Sequence, residues 1–370
     1  MLKKYRKKYQ KNKIVIYQIK PVIGRNSKKN IIEYIKGDNW ITEYKQTHLF
    51  EKKFSNFTDS KNCITFPNGT LTMYAILKCL NLKHDSEVLV SNYTMVATAN
   101  IVEMAGLRLK LVDIAEQDLC MCPIDLKNKI SKKTKVVIYT SMNGRVGQIN
   151  KIAKICKEKS IILIDDAAHA IGSYNDKRHV GNKGLAASFS FSMPKLITMG
   201  QGGCVITNNN NLAKKLRLFK NFGRKIDGVD IHNHLGYNFK ITDLQSVLGI
   251  SQLQDIKKRI NQKKKIYQRY FRNLKNNKKI KILKMKKNET PWSVDIYISN
   301  VNKIIKILKQ KKILTRKVYP PLNSQKIYKK FKGLPISNSY CKNGLWLPSS
   351  LDIKKNQIDR VCKILNDSIN

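Results

Sequence analysis

From Lys61 to Thr207 the chain alternates short β-branched runs with amphipathic segments. SEVLVSN, RLKLVDI, TKVVIYT, SIILIDD and GCVITN are separated by stretches such as LTMYAILKCLNL and INKIAKICKEK. This rhythm demands an α/β domain with a largely parallel sheet, helices filling the layers on either side. In LTMYAILKCLNL, Leu71, Ala75 and Leu82 are expected on one face of a helix. A long helix is expected from Thr242, where a T-x-x-Q capping box with Gln245 precedes the apolar stripe Leu244, Val247, Leu248 and Ile256. Beyond the Lys- and Asn-rich stretch Asn273 to Lys279, strand-like IKILKM and WSVDIYI alternate with a helix near Ile304 to Lys311, a pattern that suits a compact α+β unit. The expected division is a basic N-terminal extension over 1–20, a large three-layer αβα domain over 21–255 and a small C-terminal α+β domain over 256–370.

Charge is the unusual property. The 370 residues hold 72 Lys+Arg against 25 Asp+Glu, a formal net charge of +47. Such a balance suits nucleic acid, an anionic membrane surface or phosphorylated ligands. The basic residues run from Lys3 to Lys363 rather than along one stripe, and Asn and Ile are abundant too, so compositional drift explains them better than a dedicated nucleic-acid face. A general positive field still attracts a substrate carrying a diphosphate. MLKKYRKKYQKNK is basic but no apolar signal core follows it, and no run reaches membrane-spanning length, so a cytoplasmic location is expected. Eight cysteines without framework spacing read as reduced thiols. Cys120 and Cys122 lack the further ligands of a zinc site, and no metal site is expected.

Three fragments could carry chemistry. Asp165 and Asp166 end the apolar run SIILI, at the strand terminus where α/β folds place ligands; a loop-capping pair fits that position equally well. No G-x-x-x-x-G-K-[ST] loop accompanies them, which weighs sharply against the nucleotide triphosphatase reading. Lys195 lies in SFSFSMPKLITMGQGGCVIT, an apolar and hydroxyl-rich setting that should lower its pKa and favour the nucleophilic amine. Ser190 offers a hydroxyl nearby. Asn68, Gly69 and Thr70 precede a helix whose free amides and dipole suit an anion, though alone they are also an ordinary turn and cap. Imine former, carboxylate and phosphate-binding helix start are together what pyridoxal phosphate requires.

With these residues in place, the sequence resembles the DegT/StrS family of nucleotide-sugar aminotransferases, which have the fold type I aminotransferase architecture. KPVIG, GDNWIT, FPNGT, NYTMVATAN, MNGRVGQI, IDDAAHAIGSY, FSFSMPKLITMGQGG, GYNFKITDLQSVLG, TRKVYPPL and GLWLPSS occur in the family's order over nearly everything after Lys20. The resemblance implies that Lys195 carries pyridoxal 5'-phosphate as a Schiff base and that Asp166 pairs with the pyridine nitrogen. It further implies that Gly69, Thr70 and Ser190 meet the phosphate and that His169 lies near the phenolic oxygen. Asn238 matches an asparagine that in relatives reaches the cofactor of the neighbouring subunit, so a homodimer with shared active sites is implied.

Met95 stands where relatives usually place an aromatic residue against the ring. Gln201 replaces a common Glu, Lys240 a usual Arg, and Asn323 a frequent His of the sugar-binding region. A family variant with histidine in place of the Schiff-base lysine performs dehydration; this sequence keeps the lysine. ETPWSVDIYI and TRKVYPPLNSQ look most like enzymes that aminate C4 of a nucleotide-linked 4-keto-6-deoxyhexose, as in perosamine-type synthesis, with L-glutamate as donor by family analogy. Arg316 and Tyr319 are candidates for the sugar or nucleotide pocket. Amination at C3 or of another keto-sugar is the alternative, and a basic nucleic-acid-binding protein on an enzyme fold is the rival from a different class.

Overall fold

The computed structural model describes residues 15–226 and 228–369. Most of the basic extension expected over 1–20 therefore lies outside the described residues. Its last part is ordered against the C-terminal half: Ile16 forms a parallel bridge with Ile313, and Gln18 O accepts from Ser349 N at 2.8 Å.

The alternating region forms β1 (Asn62–Phe66), β2 (Glu87–Ser91), β3 (Arg108–Val112), β4 (Thr134–Thr140), β5 (Ile162–Asp166), a hairpin of β6 (Tyr174–Asn175) and β7 (Arg178–His179), β8 (Ala186–Ser190) and β9 (Gly203–Thr207). All but the hairpin join one sheet of order β1-β9-β8-β5-β4-β2-β3, parallel throughout except that β9 runs against β1 and β8. Because side chains alternate across a strand, each strand feeds two cores. Val137, Leu163, Ala187 and Phe189 face the layer of helices Lys45–Thr58 and Ile149–Glu158. Val136, Ile138, Ile164 and Ala186 face that of helices Gly69–Cys79, Ala97–Met104 and Asn210–Lys220.

The helix Asp243–Gln254 starts with the expected box: Thr242 Oγ1 accepts from Gln245 N at 3.2 Å, and Gln245 Oε1 from Thr242 N at 3.0 Å. Past Asp255 the helix Ile256–Leu274 leads to an antiparallel sheet of β10 (Ile280–Lys281), β11 (Val294–Ile298), β12 (Arg316–Lys317) and β13 (Gly344–Leu347) in the order β10-β11-β13-β12. Helices Val301–Gln310 and Lys355–Ile369 supply its core partners Ile304, Leu308, Ile358 and Val361.

Two local expectations are corrected. The helix that begins at Gly69 stops at Cys79, since Asn81 takes a left-handed φ of 49°, so Leu82 lies beyond it. In IKILKM only Ile280 and Lys281 pair as a strand; the Leu283 carbonyl is taken instead by the Tyr267 hydroxyl at 2.7 Å. Among the described residues no helix is long and apolar enough to cross a membrane, and the eight cysteines are unpaired.

One buried histidine ties stability to pH. His179 Nε2 accepts from Gly172 N at 2.9 Å, its Nδ1 lies 2.6 Å from Val180 O, and burial lowers its pKa to about 4 against the Val180 bond. The folded state stays neutral while the unfolded chain takes up a proton below about pH 6.5, so stability is full above that pH and falls as pH drops toward 4. Urea unfolding at pH 7 and pH 5 should show wild type losing about 2 kcal/mol more than His179→Gln. Equal losses in the two proteins would refute the assignment.

Candidate active site

At the C-terminal ends of β4, β5 and β8 a recess of about 340 Å³ opens, where parallel sheets present ligands. The alternation that splits the two cores also separates the two adjacent carboxylates. Asp166, on the Ile164 face, lines the recess; Thr98 Oγ1 donates to its Oδ2 at 2.8 Å and Ala168 N to its Oδ1 at 3.3 Å. Asp165 points the other way, accepting from Gly181 N at 2.9 Å, and is the loop-capping member of the pair. Burial raises the Asp166 pKa, with Thr98, Ala168 and Lys195 opposing.

Lys195 stands half-buried in the turn after β8, its own amide donating to Ser192 O at 3.0 Å. Burial lowers its pKa to about 8, with Asp166 acting to raise it and Arg316 to lower it further. Its Nζ lies 5.0 Å from the centre of the Trp292 ring. Trp292 in turn stacks on His169, centroids 4.0 Å apart and planes 7° from parallel, and donates its Nε1 proton to Pro194 O at 2.9 Å. Nothing in their spacing marks Trp292 or Thr98 in the sequence, although Thr98 lies in NYTMVATAN and Trp292 in ETPWSVDIYI.

The opposite wall is the start of the helix Gly69–Cys79. Asn68 Oδ1 caps it by accepting from Leu71 N at 2.9 Å, which leaves the first amides without intrahelical acceptors. Gly69 abuts the end of β8: a Cβ there would sit 3.0 Å from Ser190 Cβ. Any side chain there would push Ser190 back by a few tenths of an ångström from the corner that it lines with Thr70.

The recess also takes in Met95, His169, Gln201, Arg316 and Tyr319. The His169 imidazole is held well below its ordinary pKa by burial first and by Lys195 and Arg316 next, and its Nδ1 is buried with no partner among the described residues. Arg316 spreads at the mouth, 5.5 Å from the ring centres of both Tyr319 and Trp346. Asn238 stays outside the recess; it is exposed, on a bridge to Asn221. Lys240 lies 4.3 Å from the Phe222 ring centre and donates to Asn221 Oδ1 at 3.3 Å. Asn323 does not line the recess either: its Oδ1 and amide exchange bonds with Asn92 at 3.0 and 2.9 Å.

The donor set fits pyridoxal phosphate. It offers a partly neutral amine, a buried carboxylate across the recess, a glycine-backed anion cradle with two hydroxyls, and an orphaned imidazole nitrogen. Fold and site together define an aminotransferase of the pyridoxal-phosphate class. Residues 21–366 match the DegT/DnrJ/EryC1/StrS aminotransferase family, and the chain belongs to that family. It is 28% identical to the GDP-perosamine synthase of Escherichia coli O157:H7 over 362 residues, 96% of this chain and 98% of that one. The structure is similar to that of Helicobacter pylori PseC, an aminotransferase involved in the biosynthesis of pseudoaminic acid (TM-score 0.91, 23% identity, 96% of this chain and 99% of that one). It is also similar to the PLP form of the putative sugar aminotransferase Spr1654 from Streptococcus pneumoniae (TM-score 0.91, 21% identity, 96% and 100%). The chain is a sugar aminotransferase of this family, whose aminotransferases depend on pyridoxal phosphate.

Proposed function

We propose that the enzyme transfers an amino group from L-glutamate to C4 of a nucleotide-linked 4-keto-6-deoxyhexose, with pyridoxal phosphate held through Lys195. The observation that carries the reading is the pairing, in one recess, of an amine with a pKa of about 8 and a buried carboxylate opposite a helix start. The C4 assignment leans on the similarity to GDP-perosamine synthase across nearly the whole of both chains.

When bound, the cofactor supplies an electron sink for the pair left on a carbon that loses its proton. The protein does the rest. Lys195 takes that proton and returns it as general base and acid. Asp166 holds a proton on the pyridine nitrogen, its carboxyl oriented by Thr98. Thr70, Ser190 and the Gly69 amide receive the phosphate at the helix start, where the dipole favours an anion. His169, kept neutral and braced by Trp292, has an imidazole nitrogen available for the phenolic oxygen. Met95 lines the recess, where its thioether would be offered to the ring. Arg316 and Tyr319 receive the sugar nucleotide at the mouth.

Asn238 acts in the recess of a second copy in this scheme, which accounts for its exposure and for the exposed Ile226, Val229, Ile231 and Leu235 on the same stretch. Light scattering should then give the mass of two chains. Lys195→Ala mixed with Asn238→Ala should regain activity on subunit exchange that neither has alone; no gain in proven hybrids would rule out shared sites.

The deciding experiment is a screen of 4-keto and 3-keto nucleotide sugars with glutamate, reading 2-oxoglutarate and locating the new amine by NMR. Amine at C4 is expected. Amine at C3 would overturn the regiochemistry and leave the enzyme class standing.

A further inference from the structure

The helix Ile256–Leu274 is dense in cations, and two of them are not on its surface. Arg259 and Lys263, one turn apart and so on one face, are both buried. Lys263 Nζ donates to the backbone carbonyls of Trp292 and Ser349, each at 2.7 Å. Arg259 donates from NH1 to the carbonyl of Leu196 at 3.1 Å and from NH2 to that of Val22 at 2.8 Å. The side-chain charge of Lys263 meets no carboxylate among the ion pairs of the described residues. A buried ammonium that merely held the helix in place would be expected to sit against an anion, because burying it unpaired is costly.

Two of these four carbonyls, those of Leu196 and Trp292, adjoin Lys195. Leu196 follows Lys195 directly, and Trp292 is the residue whose ring lies under the Lys195 amine, stacks on His169 and bonds to Pro194 O. Both sides of the lysine-bearing turn are thus gripped from one helix face. We infer that Lys263, with Arg259, is a positioning residue that fixes Lys195 and the Trp292 platform through these backbone carbonyls. The inference rests on the proposed role of Lys195. Lys263 touches neither substrate nor cofactor; it acts by keeping water out from behind Trp292 and by holding the amine to one orientation. Burial lowers the Lys263 pKa to about 7, with no carboxylate to oppose it.

The test compares Lys263→Met and Lys263→Arg with the wild-type enzyme. In cofactor-free protein, the rate of pyridoxal phosphate uptake against pH reports how readily the Lys195 amine loses its proton. With the clamp removed, water reaches Lys195 and the midpoint should move up from about 8 toward the ordinary lysine value. In the loaded enzyme kcat should fall roughly 10- to 100-fold, with KM for the keto-sugar changed far less. Lys263→Arg, which keeps donors for both carbonyls, should restore most of the uptake profile and of kcat.

A folded Lys263→Met enzyme with wild-type uptake and kcat would overturn the clamp. So would loss of activity that follows the unfolded fraction alone, with an unmoved uptake midpoint. If Lys263→Met does not fold, the same two measurements on Lys263→Gln, uncharged and shorter, decide the matter in the same way. Failure of the underlying reading looks different: Lys195→Ala would then turn over like wild type, whereas failure of the clamp leaves Lys195→Ala inactive.

Discussion

Lys195→Ala should lower transamination roughly 10³-fold or more, because the group that shuttles the proton is gone while the fold has no need of it. The side chain is half-buried at the recess and makes no hydrogen bond among those formed in the described residues, so thermal unfolding should change little. Its setting explains the size of the effect. At pH 7 an amine with a pKa of about 8 is about 10% neutral, whereas a solvated lysine is below about 0.1%. Burial drives this shift, and Asp166 limits it by favouring the charged form. The wild-type protein should therefore be yellow and take up cofactor faster as pH rises toward about 8, then level off. Borohydride should fix the cofactor to the peptide containing Lys195. Turnover of Lys195→Ala at the wild-type rate would end the assignment, and labelling at Lys263 instead would relocate it.

The contrast between those two lysines shows what the chain discloses before it folds. Lys195 was recognisable because SFSFSMPKLITM is apolar on both sides of it. Lys263 sits in KKRINQKKKIYQRY, where its neighbours along the chain are polar and cationic; its helical spacing to Ile260, Ile266 and Tyr267 puts it on the buried face, where it meets the Trp292 and Ser349 carbonyls. Period-two alternation determined which of Asp165 and Asp166 could face a ligand, but the direction of that face depended on which helices covered it. The sheet and the Thr242 capping box were legible because their patterns are local. Trp292 was not, since its partners His169, Pro194 and Lys195 lie about a hundred residues earlier. Asn323 was expected near the sugar from its position in the family pattern, yet Asn92 engages both its backbone and side-chain amide groups.

Asp295→Ala should cost about 3–5 kcal/mol of stability, the usual penalty for stripping one member from a buried ion pair. Asp295 is fully buried on β11 and receives NH1 and NH2 of Arg145 at 2.8 and 2.7 Å, Asn143 Nδ2 at 2.8 Å and the Tyr297 hydroxyl at 2.9 Å. Removing the carboxylate leaves the Arg145 guanidinium, itself buried, without an anion, and a domain stabilised by only roughly 5–15 kcal/mol loses a large share of it. A lower urea midpoint should report the loss, and Arg145→Met combined with Asp295→Leu should recover part of it, since the charge is then gone from both sides. The fold gives the pair a second consequence. Asn143, held in a left-handed φ of 55°, accepts from Ser293 N through its side chain at 2.7 Å and from Trp292 N through its carbonyl at 3.3 Å. The ion pair therefore braces the loop after β4 against the segment that carries the Trp292 platform. The folded fraction of Asp295→Ala should show a reduced kcat with KM less affected. A stability loss below about 1 kcal/mol would mean that water compensates the guanidinium and that the pair is dispensable. A full stability loss with wild-type kcat in the folded fraction would separate the brace from the site, leaving Lys263 and Arg259 as the supports of Lys195.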